Sequence, residues 1–135
     1  MSDIIPVFVY GTLQPGEPLY SLIEPAVLYP PCEGAQTHGQ LFHVSNSLRP
    51  AFPVADFERE GFIVGTLLLV RANARQWEST WRMEEDAGYE RRMVRLTLPH
   101  FDKSVEAVSF HWPHEDRGPL IPHGDWTLEM ELLDR

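Results

Sequence analysis

Phe8-Val9-Tyr10-Gly11-Thr12-Leu13-Gln14-Pro15-Gly16 is a β-like run that breaks at a glycine turn, and its reading decides the fold. Just upstream, Ile4, Ile5, Val7 and Val9 are apolar and β-branched, the composition of a strand. Gly11 permits a backbone conformation that a side chain would forbid, so the strand is expected to end there. A strand that stops at Gly beside the small hydroxyl of Thr12 presents consecutive backbone N–H groups at its end. Such a nest holds a carboxylate or a developing oxyanion without any charged side chain. A glycine turn alone is more often a plain loop, so chemistry requires partners elsewhere in the chain.

Outward from this run, short β-like stretches alternate with Pro- and Gly-rich turns. Residues 17–24 have room for one or two helical turns that Pro25 would end, and Pro30, Pro31 and Gly34 punctuate the next connection. Residues 40–44 read as a strand, and 61–70 as a long buried one rich in Val, Leu and Ile. The convincing helix covers 72–86, with Asn73 as its expected cap and Gly88 placed to stop it. Within it Trp77, Trp81 (or Thr80) and Glu84 recur on one face. Residues 89–98 and 105–112 alternate as the two arms of a hairpin, and the tail from Pro119 shows a short apolar-polar alternation. Many strands with one solid helix predict an α+β domain: a small, closed or nearly closed β-barrel packed by flanking helices.

The 135 residues suit a single domain over 1–135. A formal charge of −9 and the lack of any basic stripe argue against nucleic acid or an anionic membrane as partner. Cys32 is the one cysteine, which excludes an intrachain disulfide. The longest apolar run, 62–70, is too short to span a bilayer, and no secretion signal stands at the N-terminus. A cytoplasmic protein is the default expectation.

Among titratable groups, the adjacent pair Glu84 and Glu85 is the leading candidate. Neighbouring helix residues point about 100° apart, so at most one of the two shares a pocket with the tryptophan face. A carboxylate held against tryptophans is desolvated, and desolvation moves it toward the range useful for accepting and returning a proton. Glu84 follows Met83 on the apolar side, whereas Glu85 and Asp86 read as the wet side. The six histidines show no ligand spacing, so surface or hydrogen-bonded roles are expected and no metal site is. No serine lies in a nucleophile elbow, Cys32 has no neighbouring base, and Gly11 to Gly16 lacks the ending of a phosphate-binding loop.

A family pattern runs through these residues. Val9-Tyr10-Gly11-Thr12-Leu13 with Pro15-Gly16 comes first, then Gly39-Gln40-Leu41-Phe42 and Gly61-Phe62-Ile63-Val64-Gly65-Thr66-Leu67. Met83-Glu84 then precedes Gly88-Tyr89-x-Arg91, and Gly124-Asp125-Trp126 closes the series. In this order the chain resembles the γ-glutamylcyclotransferase-like family over nearly its whole length. The resemblance implies a compact barrel with flanking helices and a cavity floored by the first loop. It also implies release of 5-oxoproline from a small-molecule γ-glutamyl amine, amino acid or peptide, with no cofactor and one glutamate as the acid/base. Glu84 takes that role first and Glu85 second, while Tyr10, Gly11, Thr12, Leu13 and Tyr89 would contact substrate. The loops 45–57 and 117–125 are expected to meet the leaving group, with Arg49 a candidate anion contact. Trp81 and the Gly65-Thr66-Leu67 run depart from the family's usual residues. On them rests an alternative reading, a catalytically silent binding or interaction module on the same fold.

Overall fold

The computed structural model of the protein describes residues 3–46 and 49–133, and the side chains of 45, 46 and 49–51 lie outside that description. Strand β1 (Ile4–Val9) lies antiparallel to β5 (Phe62–Arg71), from Ile4 opposite Arg71 to Val9 opposite Thr66. β5 carries β2 (Cys32–His38) on its other edge, β2 pairs with β6 (Glu90–Thr97), and β6 pairs with β7 (Ser104–His111). β7 then meets β1 in parallel at Val7 and Val108, which closes a barrel in the order β1-β5-β2-β6-β7. A three-stranded sheet in the order β4-β3-β8 is built from β3 (Gln40–Asn46), β4 (Arg49–Asp56) and β8 (Leu120–Ile121). Helices α1 (Tyr20–Ile23), α2 (Arg75–Ala87) and α3 (Trp126–Leu133) complete the elements, with a 3₁₀ turn at Glu24–Ala26.

β1 is apolar on both faces because it serves two cores. Phe8 and Tyr10 pack with Leu41, Ile63, Leu96 and Trp126, whereas Val7 and Val9 pack with Ile23, Leu68, Trp77 and Phe110. Successive strand residues point to opposite faces, so one short segment feeds the barrel interior and the layer shared with α1 and α2.

The expected α+β barrel with flanking helices is the observed architecture. Several segments differ from their reading. The connection after Pro31 contains β2, which buries only Ala35 and Thr37 and so carries little apolar signal. Residues 45–57, expected as a loop, contain β4. Its prolines are compatible with a strand because β4 is the edge of the small sheet, where a missing N–H is tolerated. The C-terminal alternation is helical: Trp126 and Met130, one turn apart, both pack into the main core. Pro25, expected to end a helix, lies inside the 3₁₀ turn that follows α1.

The small sheet is joined to the barrel through the end of β4. Trp112 N–H donates to the Ala55 carbonyl (2.8 Å), and Phe57 N–H donates to Nδ1 of buried His111 (3.3 Å). Between these two contacts, Asp56 pairs with Arg117 at 2.7 Å, both side chains being largely buried. Desolvation pushes the Asp56 carboxyl up, but the Arg117 hydrogen bond, the Glu58 N–H and the Arg117 charge outweigh it. The group therefore sits below the usual carboxylate range. Arg117 also donates to the Trp112 and His114 carbonyls, so a single guanidinium ties the chain after β7 to β4.

Breaking a buried pair strands the surviving charge. Arg117→Leu is expected to lower unfolding free energy by about 3–5 kcal/mol, and adding Asp56→Asn should cost less than the sum of the two single changes. Asp56 has a depressed folded pKa, so its contribution is complete above its unfolded value of about 3.9 and is lost as pH falls through the folded value. Urea midpoints should therefore fall more steeply below about pH 4 in the wild type than in Asp56→Asn.

Candidate active site

The turn after β1 and the end of α2 meet at one cavity. Its walls are Val9, Tyr10, Gly11, Thr12, Leu13, Pro53, Glu84, Tyr89 and Phe110, and it holds about 20 Å³, room for one water-sized group. A larger cleft of about 460 Å³ adjoins it and shares Thr12, Glu84 and Tyr89. The structure thus brings together Tyr10, Gly11, Thr12, Leu13, Glu84 and Tyr89. Glu85 is exposed and lines neither space.

Local contacts set each wall. The Tyr10 hydroxyl donates to the Phe110 carbonyl (2.7 Å), tying the end of β1 to the end of β7. In the turn itself, Gln14 N–H donates to the Gly11 carbonyl (3.1 Å) and Leu19 N–H to the Thr12 carbonyl (2.9 Å). The carbonyls are thereby committed, while among the described residues no hydrogen bond engages the N–H groups of Gly11, Thr12 and Leu13. The Gln14 side chain, also buried, accepts from the Thr66 hydroxyl (3.1 Å) and donates to that of Thr127 (3.4 Å).

Gly11 has a different reason from the expected one. Its φ is not positive, so the turn needs no left-handed residue there. A Cβ at Gly11 would instead lie 2.3 Å from Cγ of Pro53. Space for β4, and not backbone freedom, excludes a side chain.

On α2, Trp77 and Thr80 are buried, and Glu84 continues the same stripe one turn on, half-buried. The helix starts after Ala74, with no side-chain cap, and not at the expected Asn73. It ends at Gly88 with φ 116°, a left-handed cap that favours glycine. Through that cap Tyr89 N–H reaches back to the Glu84 carbonyl (3.0 Å), which returns Tyr89 to the side of Glu84. The Tyr89 hydroxyl donates to the Pro53 carbonyl (2.8 Å). Burial, the nearby Tyr89 hydroxyl and the Glu84 charge raise the Tyr10 pKa, and an Ala55 backbone hydrogen bond offsets only part of this. Tyr10 therefore stays protonated beside the carboxylate.

A family model described as gamma-glutamyl cyclotransferase, AIG2-like, matches residues 7–128. The chain belongs to the γ-glutamyl cyclotransferase, AIG2-like family. No curated protein matches it. Among solved structures, YkqA from Bacillus subtilis is similar at 22% identity and TM-score 0.72, over 97% of this chain and 42% of YkqA, so this chain spans less than half of that protein. An uncharacterized protein from Pyrococcus horikoshii is 21% identical, with TM-score 0.64 over 97% of this chain and 98% of its own. An AIG2-like protein from Mus musculus is 17% identical, with TM-score 0.68 over 93% and 89% of the two chains. At these identities the neighbours establish the shared fold.

Within this family member, several lining residues carried no sequence signal. Pro53 and Phe110 wall the inner cavity, and Leu19, Phe52 and Met130 wall the cleft beside Met83 and Trp126 of the quoted family pattern. Phe52 and Pro53 come from the expected 45–57 loop. The 117–125 segment, expected to meet the leaving group, contributes no lining residue to either space, and its Arg117 pairs with Asp56 instead. The Arg49 side chain lies outside the described residues.

Asp56, Glu58 and His111 bring ligand-type atoms within 4.8 Å of one another. Arg117 and Arg59 occupy Oδ2 of Asp56, Glu58 N–H occupies Oδ1, and Phe57 N–H occupies Nδ1 of His111. The group serves the joint between sheets and fits a cation poorly.

Gly11→Ala is expected to push Pro53 outward and break the Tyr89–Pro53 hydrogen bond. Overpacking of this kind costs about 1–3 kcal/mol, readable as a lower urea midpoint, with chemical-shift changes concentrated at Pro53 and Tyr89.

Proposed function

We propose that this protein is a γ-glutamylcyclotransferase that releases 5-oxoproline and a free amine from a small γ-glutamyl compound. One observation carries the reading: half-buried Glu84 lines the same cavity as Gly11, Thr12 and Leu13, whose N–H groups are engaged by no hydrogen bond among the described residues. A γ-glutamyl head has an α-ammonium and an α-carboxylate; the inner cavity admits one water-sized group, so the head reaches Glu84 and the turn from the adjoining cleft, which shares Thr12, Glu84 and Tyr89 with it. Glu84 and the Tyr89 hydroxyl oxygen take the ammonium, and the turn's N–H groups take the carboxylate or the oxyanion. Tyr10 forms the wall between them.

The nucleophile belongs to the substrate. Its α-nitrogen attacks its own γ-carbonyl carbon, the new C–N bond closes a five-membered lactam, and the bond to the departing nitrogen breaks. Holding the chain folded removes much of the entropic barrier. The α-ammonium loses two protons on its way to the lactam N–H, and the departing nitrogen gains two on its way to an ammonium. The reaction is therefore proton-neutral, and one carboxylate can carry both transfers by accepting from one nitrogen and returning to the other. No serine, cysteine or cofactor is called for by this scheme.

Glu84→Gln keeps the shape and removes the proton carrier. Release of 5-oxoproline from γ-glutamyl amines should fall at least about 10³-fold, with the melting temperature within a few degrees of wild type, while Glu85→Gln stays active. Full activity in Glu84→Gln would sink the assignment and move the role to Glu85. Calorimetric binding without product in the wild type would favour the silent module.

A further inference from the structure

We propose that the group released by this protein is an apolar amine that carries no carboxylate. The inference rests on the cyclotransferase reading and concerns the outer cleft. If the glutamyl head points at the inner cavity, the departing group lies in the adjoining 460 Å³ space, the size of a small-molecule site. Leu19, Phe52, Met83, Ala87, Trp126 and Met130 supply its apolar walls. Its charged described lining residues are Glu17 and Glu84, both acidic, and no Lys, Arg or His is among them.

An amino acid or peptide leaving group places a carboxylate in this space, that of an amino acid one carbon from the breaking bond. There it would be desolvated against apolar walls and would face two acidic groups without a cationic partner. A plain amine meets neither cost and buries its hydrocarbon against Phe52, Met83 and Met130. Glu17 is held in place by the Trp126 indole N–H, and burial raises its carboxyl pKa.

The apolar walls are firmly held. Glu129 on α3 accepts from His43 of β3 at 2.5 Å and from His123 at 3.2 Å, so the helix is clamped on both sides of one carboxylate. The clamp fixes the register that turns Trp126 and Met130 toward the cleft. His43 also lies against the Trp126 ring, with centroids 5.3 Å apart. Selectivity should therefore follow a preformed surface.

The test uses matched γ-glutamyl compounds that differ only by the carboxylate. γ-Glutamyl-phenethylamine is compared with γ-glutamyl-phenylalanine, and γ-glutamyl-butylamine with γ-glutamyl-norvaline; γ-glutamyl-methylamine sets the apolar baseline. Release of 5-oxoproline gives kcat/KM for each, and binding to Glu84→Gln is measured in parallel. Each amine should exceed its amino-acid partner by about 100-fold, and kcat/KM should rise from methyl through butyl to phenethyl. Met130→Arg should raise the ratio of activity on γ-glutamyl-phenylalanine to that on γ-glutamyl-phenethylamine, a reversal of preference that lost packing of half-buried Met130 would not by itself produce. Equal or better turnover of the amino-acid compounds would overturn this inference and leave the cyclotransferase reading standing. No product from any compound, with the amine compounds still bound in preference, would overturn the catalytic reading and leave the cleft's selectivity standing. Neither turnover nor binding of any compound would overturn both.

Discussion

The seating of the three-stranded sheet on the barrel depends on the buried ion pair between Asp56 and Arg117. A closed barrel satisfies most of its own strand edges, so beyond backbone bonds such as Trp112 N–H to Ala55 and Val64 N–H to Gly124, the small sheet is seated by side chains. The chain meets that need with a charge placed at the last residue of β4 and an opposite charge after β7. Arg117 then distributes its remaining donors over the Trp112 and His114 carbonyls. Flanking contacts from Ala55 and Phe57 align the two strands, and their burial keeps water from competing with the pair. Because β4 is fixed at this end, Pro53 arrives over Gly11 and within hydrogen-bond reach of Tyr89. A surface-type ion pair would contribute little to such a task; a buried one gives direction, and any arrangement that separates it strands a buried charge.

The candidate site is a meeting of chain ends. β1 stops, α2 stops, and β4 passes over both. In each case a carbonyl is tied back into the protein: Phe110 and Pro53 receive tyrosine hydroxyls, while Gly11 and Thr12 receive backbone N–H groups. Gly11, Thr12 and Leu13, whose N–H groups those bonds leave over, line the cavity together with Glu84. This polarity follows from ordinary satisfaction of backbone groups and needs no charged residue other than Glu84. The outer cleft has a separate origin, since α3 covers it and is fastened by polar side chains on either flank. Gln14 bridges Thr66 and Thr127, and Glu129 joins His43 to His123. The His43 hydrogen bond, more than any other contact, draws the Glu129 carboxyl below its ordinary range. The carboxylate form is thereby the one that fastens the helix.

Local pattern alone made β1, β5, α2 and the β6–β7 hairpin readable, each within about three residues of the observed bounds. In those segments burial demanded strong apolar periodicity. β2, β4 and α3 were not readable for the opposite reason. β2 buries two small side chains, β4 carries prolines that only an edge position tolerates, and α3 is held by Trp126 and Met130 together with polar clamps to distant residues. His111 shows the same limit: its burial and its bond to Phe57 N–H depend on where β4 docks.

The amino-acid sequence by itself determined the barrel class, the end of the first strand at Gly11 and the helical stripe that carries Glu84. These depend on periodicity and turn chemistry within a dozen residues. It also held the ordered set of short motifs that marks the family. Tertiary structure alone decided that the Glu84 stripe meets the turn after β1 at one cavity, that Gly11 is small to admit Pro53, and that the outer cleft is largely apolar and free of described cations. Those outcomes rest on contacts between residues far apart in the chain, where the position of one element sets what another can touch.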